Sequence, residues 1–174
     1  LDPRRKRPLP PFPRTIGVAT SLHGAALADV LRVSGERFPA ARILVAPCLV
    51  QGPQAPPDIL RAVELLIEDG RSEVIVVTRG GGAKGDLLAF QDEHLARYLA
   101  QCPIPVVSAV GHEIDTTIAD LVADAVAPTP SAAALLVLPD GFALGQALDE
   151  AHFRLVQGAR RHIAVRRERA QALQ

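Results

Sequence analysis

Ser108–Ala134 reads S-A-V-G-H-E-I-D-T-T-I-A-D-L-V-A-D-A-V-A-P-T-P-S-A-A-A. It opens at the end of an apolar run, Pro105–Val110, and turns on Gly111. His112, Glu113 and Asp115 then follow within the length of one helical turn. A buried strand that stops at a glycine and hands over to ionisable side chains is how an α/β domain displays chemistry at the carboxyl edge of its sheet. The rest of the chain is expected to build that sheet and bring further polar groups to the same edge.

Three more runs read as strands: Thr15–Thr20 (T-I-G-V-A-T), Ile43–Leu49 and Glu73–Thr78 (E-V-I-V-V-T). The third is apolar throughout its centre, as a parallel strand covered on both faces should be. Between them lie helical patterns. One, from about Ala25 to Arg37, sets Leu27, Val30, Leu31 and Phe38 on one face. A second starts at Pro57, turns Ile59, Ala62, Val63, Leu66 and Ile67 inward, and stops at Gly70. A third is expected with Asp86 as its cap and Leu88, Leu95 and Leu99 buried. A fourth, from about Glu113 to Ala125, would bury Ile114, Ile118, Leu121 and Val122. Strands alternating with helices predict an α/β fold, a mostly parallel sheet of four strands or slightly more with flanking helices. Residues 1–14, rich in Pro and Arg, read as a linker from a domain outside this sequence; residues 15–139 form the α/β domain. Residues 140–174, Ala-, Arg- and Leu-rich without internal Pro, begin a long helical or coiled-coil region.

With 174 residues, 48% of them hydrophobic and 22% charged, the chain can bury one domain's core. Only 3% are aromatic, so that core is aliphatic, and a stacking platform for bases is poorly supplied. Cys48 and Cys102 are too few for a disulfide framework and have no metal-site neighbours, which suits a reducing compartment. No apolar run is expected to reach the roughly 20 residues that cross a bilayer, and no signal peptide is visible. The zero net charge conceals an asymmetry: residues 1–14 carry +4, residues 151–174 carry +5, and the middle carries −9. Basic ends suit a polyanion; on charge alone a solvated tail and an exposed helix face explain them as well.

Four constellations could carry chemistry. Arg79-Gly80-Gly81-Gly82 follows a buried strand and precedes a helix, so backbone N–H groups can approach an oxyanion while Arg79 forks onto phosphate oxygens. It is neither a Walker loop nor a dinucleotide fingerprint. His112 and Asp115, three apart on a helix, could pair imidazole with carboxylate for general acid–base work. With Glu113 they could alternatively hold a divalent metal; taken alone, a strand-end histidine and solvated acids explain them equally well. Thr20, Ser21 and Gly24 precede a helix and suit an anion, with Asp29 further along that helix. Ala127-Pro128-Thr129-Pro130-Ser131 reads as a rigid turn and helix cap, and without a G-x-S-x-G elbow a serine hydrolase is not indicated.

Taken together and in order, these motifs resemble the catalytic domain of the exodeoxyribonuclease VII large subunit. The likeness spans about Leu9 to Pro139. It runs through L-P-P-F-P, I-G-V-x-T-S-x-x-G-A-A with Asp29, V-Q-G, R-G-G-G, D-L-x-A-F, P-V-x-S-A-V-G-H-E-x-D-x-T-x-A-D-x-V-A-D and A-P-T-P-S-A-A-A. The resemblance implies an exonuclease that degrades single-stranded DNA to short oligonucleotides in the cytoplasm. It implies Asp29, Arg79, His112 and Asp115 as catalytic residues. Thr20, Ser21, Gly24, Gly80, Gly81, Gly82, Glu113 and Thr117 would flank the substrate phosphate. No cofactor is obligatory by this likeness; a divalent metal such as Mg can take part but is not required. The implied partners are single-stranded DNA and a small subunit, met through the C-terminal helical region, and no membrane. The chain departs from the family at Ala83-Lys84-Gly85-Asp86, where Ser, an apolar residue and Glu-Asp are usual. It departs also at Gln91 for Asn, Val126 for Arg and Leu135 for Glu. Two other readings stay open at this point: a single-strand-binding scaffold with a decayed site, and an α/β enzyme for a small sugar phosphate or nucleotide.

Overall fold

The computed structural model describes residues 3–79, 84–111 and 116–171. By internal contacts the chain divides into two compact units, Leu1–Pro139 and Asp140–Gln174.

In the first unit five strands form one sheet: β1 (Thr15–Thr20), β2 (Arg42–Pro47), β3 (Val74–Thr78), β4 (Val106–Ala109) and β5 (Ala125–Val126). Their order is β2-β1-β3-β4-β5, and every pairing is parallel. The expected α/β architecture is borne out, with β5 as the added fifth strand; two residues are too few for a periodicity signal. The alternation of side chains along each strand explains why these runs are apolar throughout. Ile16, Val18, Val74, Val76, Val107 and Ala109 face one hydrophobic cluster. Ala19, Ala46, Ile75, Val77 and Val106 face the other.

Helices cover both faces. α1 (Ala25–Arg37) and α5 (Pro130–Val137) pack together on the first cluster. α2 (Ala55–Asp69), α3 (Glu93–Gln101) and α4 (Ile118–Val122) lie on the second. α1 buries Leu27 and Val30 as expected, but its stripe continues through Val33 and Ser34 while Leu31 is exposed. α2 begins at Ala55, two residues ahead of Pro57, and ends on Gly70 at φ 72°, the left-handed region glycine occupies without steric cost.

Two helix starts differ from expectation. Lys84–Gln91 is a 3-10 segment in which Leu88 is 74% exposed and Phe90 is the buried anchor. The cap of α3 is Asp92, whose side chain accepts from Leu95 N at 2.8 Å. α4 starts at Ile118, not near Glu113. Thr117 caps it from an extended conformation, and Ile118 and Leu121 are exposed while Ala119 and Asp120 are buried. A Thr-x-x-Asp box at 117–120 sets the start, because Thr117 and Asp120 bond each other's backbone only if Thr117 stays outside the helix.

Arg7 fastens the segment ahead of β1 to the far edge of the sheet. Its backbone N donates to Asp124 Oδ1 at 2.7 Å and its guanidinium to Asp124 Oδ2 at 2.8 Å and to the Cys102 carbonyl. The second unit is α6 (Gly141–Gln171), opened by the Asp140 side chain accepting from Ala143 N at 3.0 Å. Phe142, Leu148, Phe153 and Leu155 of this helix are exposed. The expectation about apolar runs is corrected on composition: Pro130–Arg166 has a window long and apolar enough to cross a membrane. That stretch comprises two helices, α5 ending at Val137 and α6 starting at Gly141.

Candidate active site

In a sheet ordered 2-1-3-4-5 the direction of winding reverses beside β1, and the crevice beyond the carboxyl ends of β1 and β3 is where such folds bind ligands. A cavity of about 400 Å³ lies there. Ser21, His23 and Gly24 reach it from the loop after β1, and Ala25 from the first turn of α1. Leu49, Val50 and Gln51 come from the loop after β2, and Arg79 from the residue after β3. Three chain segments far apart in sequence thus converge on one crevice.

Each wall has a local cause. Gly24 caps α1 from an extended conformation without a side-chain hydrogen bond, so no side chain of that cap occupies the positive end of the helix dipole. The loop after β2 is held by Asp58 of α2, whose Oδ2 accepts from Leu49 N at 2.7 Å. Burial, reinforced by the Asp58 carboxylate, pushes the neighbouring Cys48 thiol up to about 12, which removes it as a nucleophile at neutral pH. Arg79 is only 8% exposed, and its Nε donates to the Val110 carbonyl at 3.1 Å. Beside it, Thr78 Oγ1 donates to the Ala109 carbonyl at 2.9 Å. Thr20 is fully buried at the end of β1, and its Oγ1 has no hydrogen-bond partner among the described residues.

The structure therefore brings Ser21, Gly24 and Arg79 to one cavity, with Thr20 buried at its base strand. Asp29 does not line that cavity. It lies on the exposed side of α1, where its Oδ1 is 3.5 Å from Arg32. Thr117 is 1% exposed and acts as the cap of α4: its Oγ1 donates to Asp120 Oδ2 at 2.8 Å and accepts from Asp120 N at 3.2 Å. Gly80, Gly81, Gly82, His112, Glu113 and Asp115 lie outside the described residues. Among the described residues no group of three or more His, Cys, Asp or Glu side chains is placed to hold a metal ion.

Sequence reading overlooked two cavity residues and one network. His23 and Gln51 line the cavity, and both sat inside motifs quoted for their neighbours. Asp120 is the buried centre of a hydrogen-bond cluster. Its Oδ1 accepts from Ser108 Oγ at 2.6 Å, and its Oδ2 accepts from Thr117 N and Thr117 Oγ1, each at 2.8 Å. The Thr-x-x-Asp spacing was the available signal. It was hidden by placing the helix start five residues too early.

Comparison with known proteins bears on this geometry. The family model for the exonuclease VII large subunit matches residues 1–174. The exodeoxyribonuclease 7 large subunit of Desulforudis audaxviator is 51% identical over 173 residues, 99% of this chain and 43% of that protein. Those of Legionella pneumophila and Geobacillus kaustophilus are 50% and 45% identical over 89% and 100% of the chain, and 35% and 39% of their own lengths. The chain thus spans about two fifths of the first of these relatives and less of the others.

Proposed function

Since the chain belongs to the exonuclease VII large-subunit family, we propose that it is the catalytic domain of a nuclease hydrolysing phosphodiester bonds in single-stranded DNA to short oligonucleotides. The observation that carries this reading is the convergence of buried Arg79 with the uncapped start of α1 in the switch-point cavity. A polyanion needs positive charge that the protein cannot neutralise internally, and a helix N-terminus beside a guanidinium supplies it.

In this mechanism Arg79 and the N–H groups of Gly80, Gly81 and Gly82 hold the scissile phosphate and the charge that develops on its oxygens. Removing such a donor costs roughly 10²–10³ in rate. Water attacks phosphorus, the bond to the leaving oxygen breaks, and His112 moves the proton between them, a role worth roughly 10²–10⁴. Asp115 orients the imidazole, and Asp29 positions water or shares the proton load. Thr20, Ser21, Gly24, Glu113 and Thr117 shape the phosphate subsite around these groups. No metal is obligatory in this scheme. The protein works in the cytoplasm, and the helical region that begins with α6 meets the small subunit; its exposed Phe142, Leu148, Phe153 and Leu155 support an unmet partner there.

The test is hydrolysis of a labelled single-stranded oligonucleotide by the full-length subunit assembled with its small subunit. His112→Ala and Arg79→Ala are expected to lose at least two orders of magnitude. Near-normal rates in either variant would remove that residue's assignment.

A further inference from the structure

Two stretches carry most of the groups assigned to the reaction, 79–82 and 112–115. The described residues that bound them are tied together twice. At their upstream ends Arg79 Nε donates to the Val110 carbonyl at 3.1 Å. At their downstream ends Gln91, the last residue of the 3-10 segment, reaches the chain entering α4. Its Oε1 accepts from Ile118 N at 3.0 Å and its Nε2 donates to the Thr116 carbonyl at 3.4 Å. A primary amide carries acceptor and donor on one planar group. Here both are spent on a single bend of backbone.

That bend is not otherwise complete. The first N–H groups of a helix have no partner within it. The Thr117–Asp120 box serves Asp120 N and Thr117 N. Ile118 N, the first of α4, is served by Gln91 instead, from a different segment of the chain. The cap of α4 is thus shared between its own box and the segment that follows the glycine run.

We propose that Gln91 is a positioning residue of the nuclease reaction. It fixes the exit of the 112–115 stretch relative to the segment downstream of Arg79, so the spacing between phosphate-holding and proton-transferring groups is set before substrate arrives. The inference rests on the nuclease reading above. Gln91 is itself exposed and lies outside the cavity lining. Its two neutral hydrogen bonds at the surface contribute little to global stability, whereas a misplacement of about 1 Å at a reacting group can cost roughly 10²-fold in rate. The two roles therefore separate in experiment.

Steady-state hydrolysis of a single-stranded oligonucleotide should be measured for Gln91→Leu and Gln91→Glu in the full-length subunit assembled with its small subunit, alongside Tm. Gln91→Leu keeps the side-chain bulk and removes both bonds. It is expected to lower kcat about tenfold or more while KM stays within about twofold and Tm within a few degrees. Gln91→Glu keeps the acceptor for Ile118 N but sets a carboxylate against the Thr116 carbonyl, and its kcat should fall between the two. Wild-type kcat in Gln91→Leu overturns the proposal. So does a raised KM at intact kcat, which would make Gln91 a strand contact, or a collapse in Tm, which would make it a plain structural cap. A wild-type assembly that leaves the oligonucleotide intact sinks the nuclease reading itself, and the positioning role with it.

Discussion

Arg79 Nε donates to the carbonyl of Val110 across 3.1 Å, joining the chain just past β3 to the chain just past β4. In the sheet register Thr78 pairs with Ala109, so the bond occupies the next rung, with a side chain in place of backbone N–H. One edge of the guanidinium is thereby oriented by the scaffold. A cation held this way loses little freedom on meeting an anion, which is what preorganisation of a charged site requires.

Arg79→Lys is the sharper test of that arrangement than removal of the charge. Lysine keeps the cation but is a point charge on a flexible stem, without the planar fork or the Nε anchor. We expect hydrolysis to fall roughly 10²–10³, with a stability loss of about 1 kcal/mol for the single hydrogen bond. Urea denaturation alongside single-turnover rates separates the two. Activity retained within a few-fold would mean the charge alone suffices and the anchored orientation is idle.

Asp120 carries a heavier structural burden. At 3% exposure it accepts from Ser108 Oγ, Thr117 N and Thr117 Oγ1, tying α4 to β4. Asp120→Ala strands three donors in a dry site and is expected to cost about 3 kcal/mol or more. Ser108→Ala, which removes one donor to the carboxylate, should cost about 1–2 kcal/mol. Denaturation midpoints at constant m-value check both; an Asp120→Ala protein as stable as wild type would show the network to be incidental.

How much was legible in the sequence follows from which forces set each feature. Strands β1 and β3 were readable because burial on both faces demands unbroken apolar residues, and α1 because Leu27 and Val30 recur at helical spacing. The start of α4 was missed: its box is a local competition between Thr117 and the helix, and the ionisable run ahead of it suggested a longer element. Leu88 was placed in the core by its apolarity alone; a 3-10 segment has a different period and buries Phe90 instead. The site is legible only as a list of motifs. That Ser21, Gly24 and Arg79 share a cavity while Asp29 faces solvent beside Arg32 depends on the 2-1-3-4-5 strand order, which no local pattern encodes.

Asp124 predicts an acid limb. Burial would raise its pKa, but hydrogen bonds from the Arg7 side chain and backbone and from Val106 N, with the Arg7 charge, outweigh it and hold the carboxyl below the usual carboxylate range. A depressed folded pKa contributes stability that is present above the unfolded value of about 3.9 and is lost as pH falls through the folded one. Wild type should therefore lose this contribution only below about pH 4. Arg7→Ala should destabilise at neutral pH by about 2–3 kcal/mol, less than a fully buried pair because Arg7 keeps part of its surface in water. Its stability should also vary less between about pH 4 and 2, since the depression is gone. Parallel acid curves for the two proteins would refute the assignment.

Gly17, in the middle of β1, sets two effects of opposite sign against each other. Its φ is not in the left-handed region, so alanine is conformationally acceptable, and Gly→Ala at such a position stabilises by about 0.4–1 kcal/mol through the unfolded chain. Against this, a Cβ at Gly17 would lie 2.8 Å from Ser72 Oγ and 3.0 Å from Leu66 Cδ1. The Ser72 hydroxyl can rotate away, but Leu66 is buried among the core residues of α2 and has little room to move. Nor can β1 retreat, because β2 and β3 flank it on both sides. Overpacking of this kind costs about 1–3 kcal/mol and outweighs the entropic gain. Gly17→Ala is therefore expected to be destabilising overall. Leu66→Val, which trims the clashing side chain, should make the double variant less destabilised than the two single costs combined, a coupling of at least about 0.5 kcal/mol. Strict additivity, or a more stable Gly17→Ala protein, would mean the contact between β1 and α2 relaxes freely and does not select glycine here.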